Sequence, residues 1–282
     1  MKLYKTRNGI VLQHGDQYYS LNSEWDNLIN RENLYDHLLS LSRQSPVMSA
    51  ADADRLCNEE VLAPIGAQEI WAAGVTWLRS RDARMEESKE SGGATFYDKV
   101  YVAERPELFF KGLSHSVAAH KEEVYIRKDS TWNVPEPELT LFINSKGQIQ
   151  AYTIGNDMSS RSIEGENPLY LPQAKVYMRS AALGPCLLVN EDPVSSDSVI
   201  AMTIERDNKV VYKDSVPINR MKRTMKELAE YLYRESDYPS GCFLMTGTCL
   251  VPGNDFTLQE KDLISISIDG IGTLKNIVAK KK

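Results

Sequence analysis

The sequence predicts an α+β protein that is mainly β, and three observations carry that reading. β-like runs recur along most of the chain ("EIWAAGVTW", "LTLFINSKGQIQAYTIGND", "SVIAMTIERDNKVVYKDS", "DLISISIDGIGTLKN"), turn formers separate them, and helical spacing of apolar residues is rare. The opening "KLYKTRNGIVLQHGDQYYSL" alternates short β runs with turns at Asn8–Gly9 and Gly15–Asp16, which predicts a small sheet. Leu28, Leu34, Leu38 and Leu39 then recur at helical spacing and predict a helix over 27–41. The mixed "RQSPVMSAADADRLCNEEVLAP" carries turn formers and a proline near each end, so a boundary is expected near residue 65. It divides a small N-terminal domain, 1–65, from a larger domain, 66–282. A second helix is expected over 220–234, where Met221, Met225, Leu228 and Leu232 form an apolar stripe.

Composition narrows the class. A chain of 282 residues with 42% apolar and 26% charged content is long enough to bury a sizeable core. The formal net charge of -6 argues against a nucleic-acid surface, which needs a basic face. No stretch approaches the roughly 18 apolar residues of a membrane span, and the first residues lack a long apolar core, so the expected location is cytoplasmic. Cys57, Cys186, Cys242 and Cys249 show no C-x-x-C spacing and are read as reduced, packed thiols.

One short segment stands out. "VPEPEL" sets Glu136 and Glu138 two apart on a strand, hence on the same face, where like charges repel unless that face is wet or holds a cation. "LTLFI", the turn "NSKG" and "QIQAYTI" form a hairpin centred near Lys146. Regular antiparallel pairing about that centre puts Glu136 and Glu138 near Asn156 and Ile154, which brings Asp157 beside both glutamates. A bulge would shift this by one residue, and Pro135 and Pro137 mark an edge or the start of a strand. Three converging carboxylates with no histidine or cysteine nearby suit Mg²⁺, Mn²⁺ or Ca²⁺; the alternative is a solvated acidic strand end.

"VPEPELTLFINSKGQIQAYTIGNDMSSRS", "LPQAKVY", "ALGP", "MTGT" and "IDGIGTLKN" resemble, in order, the motifs of the fumarylacetoacetate hydrolase family over about Ile70 to the C-terminus. The resemblance implies a mixed β-sheet/β-roll catalytic domain, a divalent metal on Glu136, Glu138 and Asp157, and Lys175 reaching into the site. It also implies that Gly247 and Thr248 contact a substrate carboxylate and that subunits pair as homodimers or higher oligomers. The implied substrate is a small 2-keto acid, which can chelate Mg²⁺ through its carboxylate and keto oxygens.

The family contains hydrolases, decarboxylases, isomerases and dehydratases, so the residues must discriminate. Its hydrolytic members carry a histidine where this chain has "GVTWLRSRDARMEES", and His14, His37, His115 and His120 all lie elsewhere. Without that base, C–C hydrolysis is disfavoured. "WAAGVTW", "ERPELFFK", "DSTWNVPEPEL" and "SIEGENPLYLPQAKVY" resemble the subgroup that dehydrates 2-keto-3-deoxy-pentonates to 2,5-dioxopentanoate. That likeness makes Glu107 the acid/base residue and Lys175 the group that orients substrate and offsets enolate charge; absent it, Glu107 reads as a capping or surface acid.

Departures remain. Met178 and Ser162 stand where many members have aspartates, and Cys249 replaces a proline after Gly247–Thr248. The loss of a carboxylate near Lys175 would alter its pKa or free space. The loop "RSRDARMEESKESGGATFYDKV", with Gly92–Gly93, reads equally as a lid or an exposed charged loop; its Arg79 and Arg84 are candidates for the substrate's carboxylate or hydroxyls. A hydrolase or decarboxylase, and a non-catalytic ligand-binding homologue, stay open as alternatives to the dehydratase.

Overall fold

The computed structural model describes residues 1–87 and 94–282. Residues 88–93 of the expected lid, Gly92–Gly93 among them, lie outside the described residues. An N-terminal meander, β1 (Lys2–Thr6), β2 (Gly9–His14) and β3 (Gln17–Leu21), precedes helices α1 (Trp25–Ile29), α2 (Leu34–Gln44) and α3 (Ala50–Asn58). Strand β4 (Glu69–Gly74) leads to α4 (Leu78–Glu87) and α5 (Ala94–Val102), and the chain returns along β5 (Glu107–Leu113). Short strands β6 (Val117–Ala118), β7 (Glu123–Ile126) and β8 (Asn133–Val134) come before the central hairpin, β9 (Pro137–Ile143) and β10 (Ile149–Asp157). Then follow β11 (Ser159–Ser160), α6 (Arg161–Glu166), α7 (Leu171–Lys175) and β12 (Ala181–Leu188). The last part comprises β13 (Val199–Arg206), β14 (Lys209–Pro217), α8 (Met225–Tyr233), β15 (Cys242–Met245), β16 (Leu263–Ile268) and β17 (Gly272–Lys280).

The larger sheet runs β3-β2-β1-β12-β10-β9-β15-β4-β5, with β6 also on β12; the smaller runs β14-β13-β16-β17-β7. Because β1 pairs with β12, the sheet passes unbroken from the N-terminal meander into the central strands. Leu139, Leu141 and Ile143 of β9 and Ile154 of β10 meet Ile200, Met202, Ile264 and Ile266 of the smaller sheet in one core. On the opposite face, Phe142 and Phe243 pack with Leu28, Ile29, Leu34 and Leu38 of α1 and α2. Every residue of β9 is buried, because both faces of this strand are covered.

Four local expectations change. The helix expected over 27–41 is two helices, since Asn33 adopts a left-handed φ of 56° and starts α2 afresh. The helix expected from residue 220 starts at Met225, where the Thr224 hydroxyl and the Glu227 side chain form a reciprocal capping box. The charged stretch after Trp77, expected as loop, contains α4 and α5. The hairpin register is shifted by a bulge between Ile149 and Ala151, so Glu138 faces Gly155 rather than Ile154.

Candidate active site

The strand wall of the site comes from β9 and β10. Pro137 forms the first residue of β9, where no ladder donor is needed, and the preceding Glu136 carbonyl accepts the Asp157 N–H at 2.9 Å. That bond fixes the register in which Glu136, Glu138 and Asp157 share one face. All three are buried, and one carboxylate oxygen from each lies within 4.8 Å of the others. Glu138 is anchored by the Gly247 N–H at 2.6 Å, and Gly247 has a φ of 93° that favours glycine.

Cations answer these charges. Lys175, at the end of α7, donates to Glu136 Oε2 at 2.6 Å, to Asp157 Oδ2 at 3.0 Å and to the Ser159 hydroxyl. Arg161, at the start of α6, holds Glu136 Oε1 at 2.6 Å, and the buried Lys111 holds Asp157 Oδ1 at 2.7 Å. Glu164, one turn after Arg161, meets Arg84 of α4 at 2.8 Å and Lys175 at 3.5 Å.

Burial and the neighbouring charges of Asp157 and Glu136 push the Glu138 carboxyl well above the usual carboxylate range. Burial alone would raise Asp157 too, but Lys111 and Lys175 bring it down. Lys175 is raised because Asp157, Glu136 and Glu164 outweigh its burial.

Glu107 adjoins the cavity at Gly74. It pairs with Gly74 across β4 and β5, and a Cβ on Gly74 would fall 2.0 Å from Glu107 Oε2, so this glycine makes room for the carboxyl. Oε2 is buried without a hydrogen-bond partner among the described residues, and burial raises the Glu107 pKa. Phe109 follows two residues after Glu107 on β5, Lys111 falls at a register shift in the pairing with β4, and the Lys175 ammonium lies 5.8 Å from the Phe109 ring centre.

A cavity of about 20 Å³ lies between these walls, lined by Gly74, Val75, Ser80, Arg84, Phe109, Glu136, Glu138, Asp157, Arg161, Lys175 and Thr248. A cavity needs ~10–15 Å³ to admit a water, so this one suits a water or an ion. One oxygen from each of Glu136, Glu138 and Asp157 lies within 4.8 Å of the others, near enough for the three to share one cation. The oxygen-only set thus fits a hard divalent cation.

Of the residues singled out from sequence, Glu136, Glu138, Asp157, Lys175, Arg84 and Thr248 line this cavity, while Glu107 and Gly247 adjoin it through Gly74 and Glu138. Arg79 does not join them: it pairs at the surface with Asp214 at 3.1 Å. Sequence reasoning left out Lys111 and Glu164 and gave Arg161 no role; the i,i+3 spacing from Arg161 to Glu164 was the available signal for Glu164. Among the described residues no histidine lines the cavity. Met178 is partly exposed, and the Ser162 hydroxyl turns to Ser130 at 2.8 Å, so neither departure reaches the buried cluster. Glu164 lies 3.5 Å from Lys175, beside Glu136 and Asp157.

The family profile described as Fumarylacetoacetate (FAA) hydrolase C-terminal matches residues 83–279. The chain belongs to the fumarylacetoacetate hydrolase family. Among its relatives in this family, a probable 2-keto-3-deoxyxylonate dehydratase of Haloferax volcanii is 46% identical over 226 residues, 80% of this chain and 77% of that one. The 2-dehydro-3-deoxy-D-arabinonate dehydratase of Saccharolobus solfataricus is 38% identical over 257 residues, 90% of this chain and 84% of that one. A solved structure of 2-keto-3-deoxy-D-arabinonate dehydratase with magnesium and 2,5-dioxopentanoate superposes with a TM-score of 0.84 at 32% identity, covering 100% of both chains. A fumarylacetoacetate hydrolase from Exiguobacterium antarcticum shares the fold at 17% identity and a TM-score of 0.70. No helix among the described residues is long and apolar enough to cross a membrane.

Proposed function

We propose that this chain is a Mg²⁺-dependent hydro-lyase that converts a 2-keto-3-deoxy-pentonate to 2,5-dioxopentanoate and water. The observation that carries the reading is the buried Glu136–Glu138–Asp157 triad, set close to a carboxyl, that of Glu107, which burial equips for proton transfer. Glu136, Glu138 and Asp157 would hold Mg²⁺, and the bound ion would stabilise negative charge developing on the 2-keto oxygen as a proton leaves C3.

The chain's own residues supply the rest. Glu107 takes the C3 proton and returns it to the C4 hydroxyl, which departs as water; its raised pKa brings it nearer the operating pH, where a group can serve as both base and acid. The resulting enone carries a C5 hydroxyl, and moving one proton from C5 back to the carbon chain gives the enol of the aldehyde. Lys175 and Arg84 offer positive charge to the substrate's carboxylate and keto oxygens. Gly247 orients Glu138 through its N–H, and Thr248 lines the floor on which the substrate carboxylate rests.

C–C hydrolysis needs a second base to activate water, and among the described residues the cavity wall offers no histidine for it. Residues 1–65 are an accessory unit added to the edge of the catalytic sheet, and the enzyme is a cytoplasmic homodimer or higher oligomer, which sedimentation of the purified protein tests. The deciding experiment is Mg²⁺-dependent turnover of D- and L-2-keto-3-deoxy-arabinonate beside acetylpyruvate and oxaloacetate. Release of 2,5-dioxopentanoate that Glu107→Gln abolishes supports the dehydratase. Cleavage of acetylpyruvate or oxaloacetate with both sugar acids untouched sinks it.

A further inference from the structure

Among the described residues three cations line the small cavity: Arg84 from α4, Arg161 from α6 and Lys175 from α7. They come from different helices and repel one another, yet all three touch one carboxylate. Glu164 lies 2.8 Å from Arg84, 3.7 Å from Arg161 and 3.5 Å from Lys175, and its side chain is 1% exposed. It does not line the cavity itself, so it stands behind the cations. Arg161 and Lys175 also grip Glu136, one oxygen each. The chain of contacts therefore runs from α4 through Glu164 to the triad.

We propose that Glu164 is a positioning residue that arrays Arg84, Arg161 and Lys175 around the incoming 2-keto acid. A carboxylate in this place draws three like charges to a common centre, which a neutral side chain of the same shape cannot do. The array then presents its charges to the carboxylate and keto oxygens of the substrate already gathered about one centre, the condition under which charged groups assist most. The proposal rests on the 2-keto acid reading above.

The test compares wild type with Glu164→Gln, Glu164→Asp, Arg84→Lys and the Glu164→Gln/Arg84→Lys double variant. Calorimetry reads Mg²⁺ binding and, with Mg²⁺ present, binding of pyruvate as a minimal 2-keto acid; turnover and thermal unfolding are measured alongside. Glu164→Gln is expected to bind Mg²⁺ within about threefold of wild type, to bind pyruvate about tenfold more weakly, and to lose kcat by about 10²-fold, as a misplacement of about an ångström does. Glu164→Asp recovers part of the loss, and the double variant is no worse than its poorer parent, because both changes break one array. Should Glu164→Gln fail to fold, Arg84→Lys must show the pyruvate defect. Wild-type pyruvate affinity in the folded variants, additive losses in the double variant, or losses that follow only the unfolded fraction overturn the proposal. If wild type binds pyruvate but dehydrates neither sugar acid, the dehydratase reading fails while the binding comparison still decides the role of Glu164.

Discussion

The two walls of the site are built differently. The strand wall, Glu136, Glu138 and Asp157, hangs from β9 and β10, whose other face is locked into the core by Leu139, Leu141 and Ile154. The helix wall, Arg84, Arg161, Glu164 and Lys175, comes from three helices held to the strands by ion pairs. Apolar burial fixes like charges side by side where charge pairing alone would not, and it leaves the helix wall free to answer to whatever occupies the cavity.

Substitutions on the two walls should separate accordingly. The largest effect is expected on the strand wall: Glu138→Ala should lower Mg²⁺ affinity beyond calorimetric detection and cut kcat/KM by roughly 10³-fold or more, since the metal contributes several kcal/mol to the transition state. Chelation of wild type should do the same and be reversed by added Mg²⁺.

Glu107→Gln should cost about 10²–10⁴-fold in kcat and leave Mg²⁺ affinity unchanged, because it removes proton transfer alone. Its stability effect has the opposite sign. The folded pKa of Glu107 is raised above the ordinary 4.5, so the folded state binds the extra proton and loses stability as pH climbs from there through the raised value. The glutamine variant should therefore unfold at a higher temperature than wild type at pH 8, with little difference at pH 4. An equal or lower melting temperature at pH 8 would contradict a buried, strained carboxyl.

On the helix wall, Arg84→Ala should destabilise by about 2–3 kcal/mol, less than for a fully orphaned buried charge because Arg161 and Lys175 still face Glu164. Arg79→Ala serves as the contrast. Its pair with Asp214 is half exposed, and both turnover and stability should stay within about 0.5 kcal/mol of wild type by chemical denaturation.

The smallest effect lies outside both walls. His120 Nδ1 accepts the Lys275 N–H, and burial pushes its pKa down to about 4. Its folded pKa lies below the unfolded 6.5, so this contribution is intact above pH 6.5 and is lost as pH falls through about 4. His120→Asn should flatten the acid side of the stability curve slightly, which urea titrations at pH 5 and 7 would detect.

The difference between the walls also explains what the residues disclosed. Glu136, Glu138 and Asp157 follow from a period of two and a hairpin turn, both local, and even the bulge moved the register by only one residue. Glu164 joins Arg84 across 80 positions of sequence, and nothing local to either foretells it. The charges of α4 read as loop because its apolar stripe is weak; tertiary contact makes the helix. Lys111 reads as an ordinary strand lysine until Asp157 is placed opposite it. Legibility therefore ended where long-range ion pairing began.

The cavity of about 20 Å³ has a kinetic consequence. A five-carbon acid needs more room than a single ion, so entry of substrate is expected to begin with movement of the side chains around the cavity. The association rate should then level off with substrate concentration at the frequency of opening, well below the diffusion limit. Apparent affinity should equal the intrinsic affinity weakened by the fraction of time spent open, so a change that merely loosens α4 would tighten KM without touching any atom that meets the substrate.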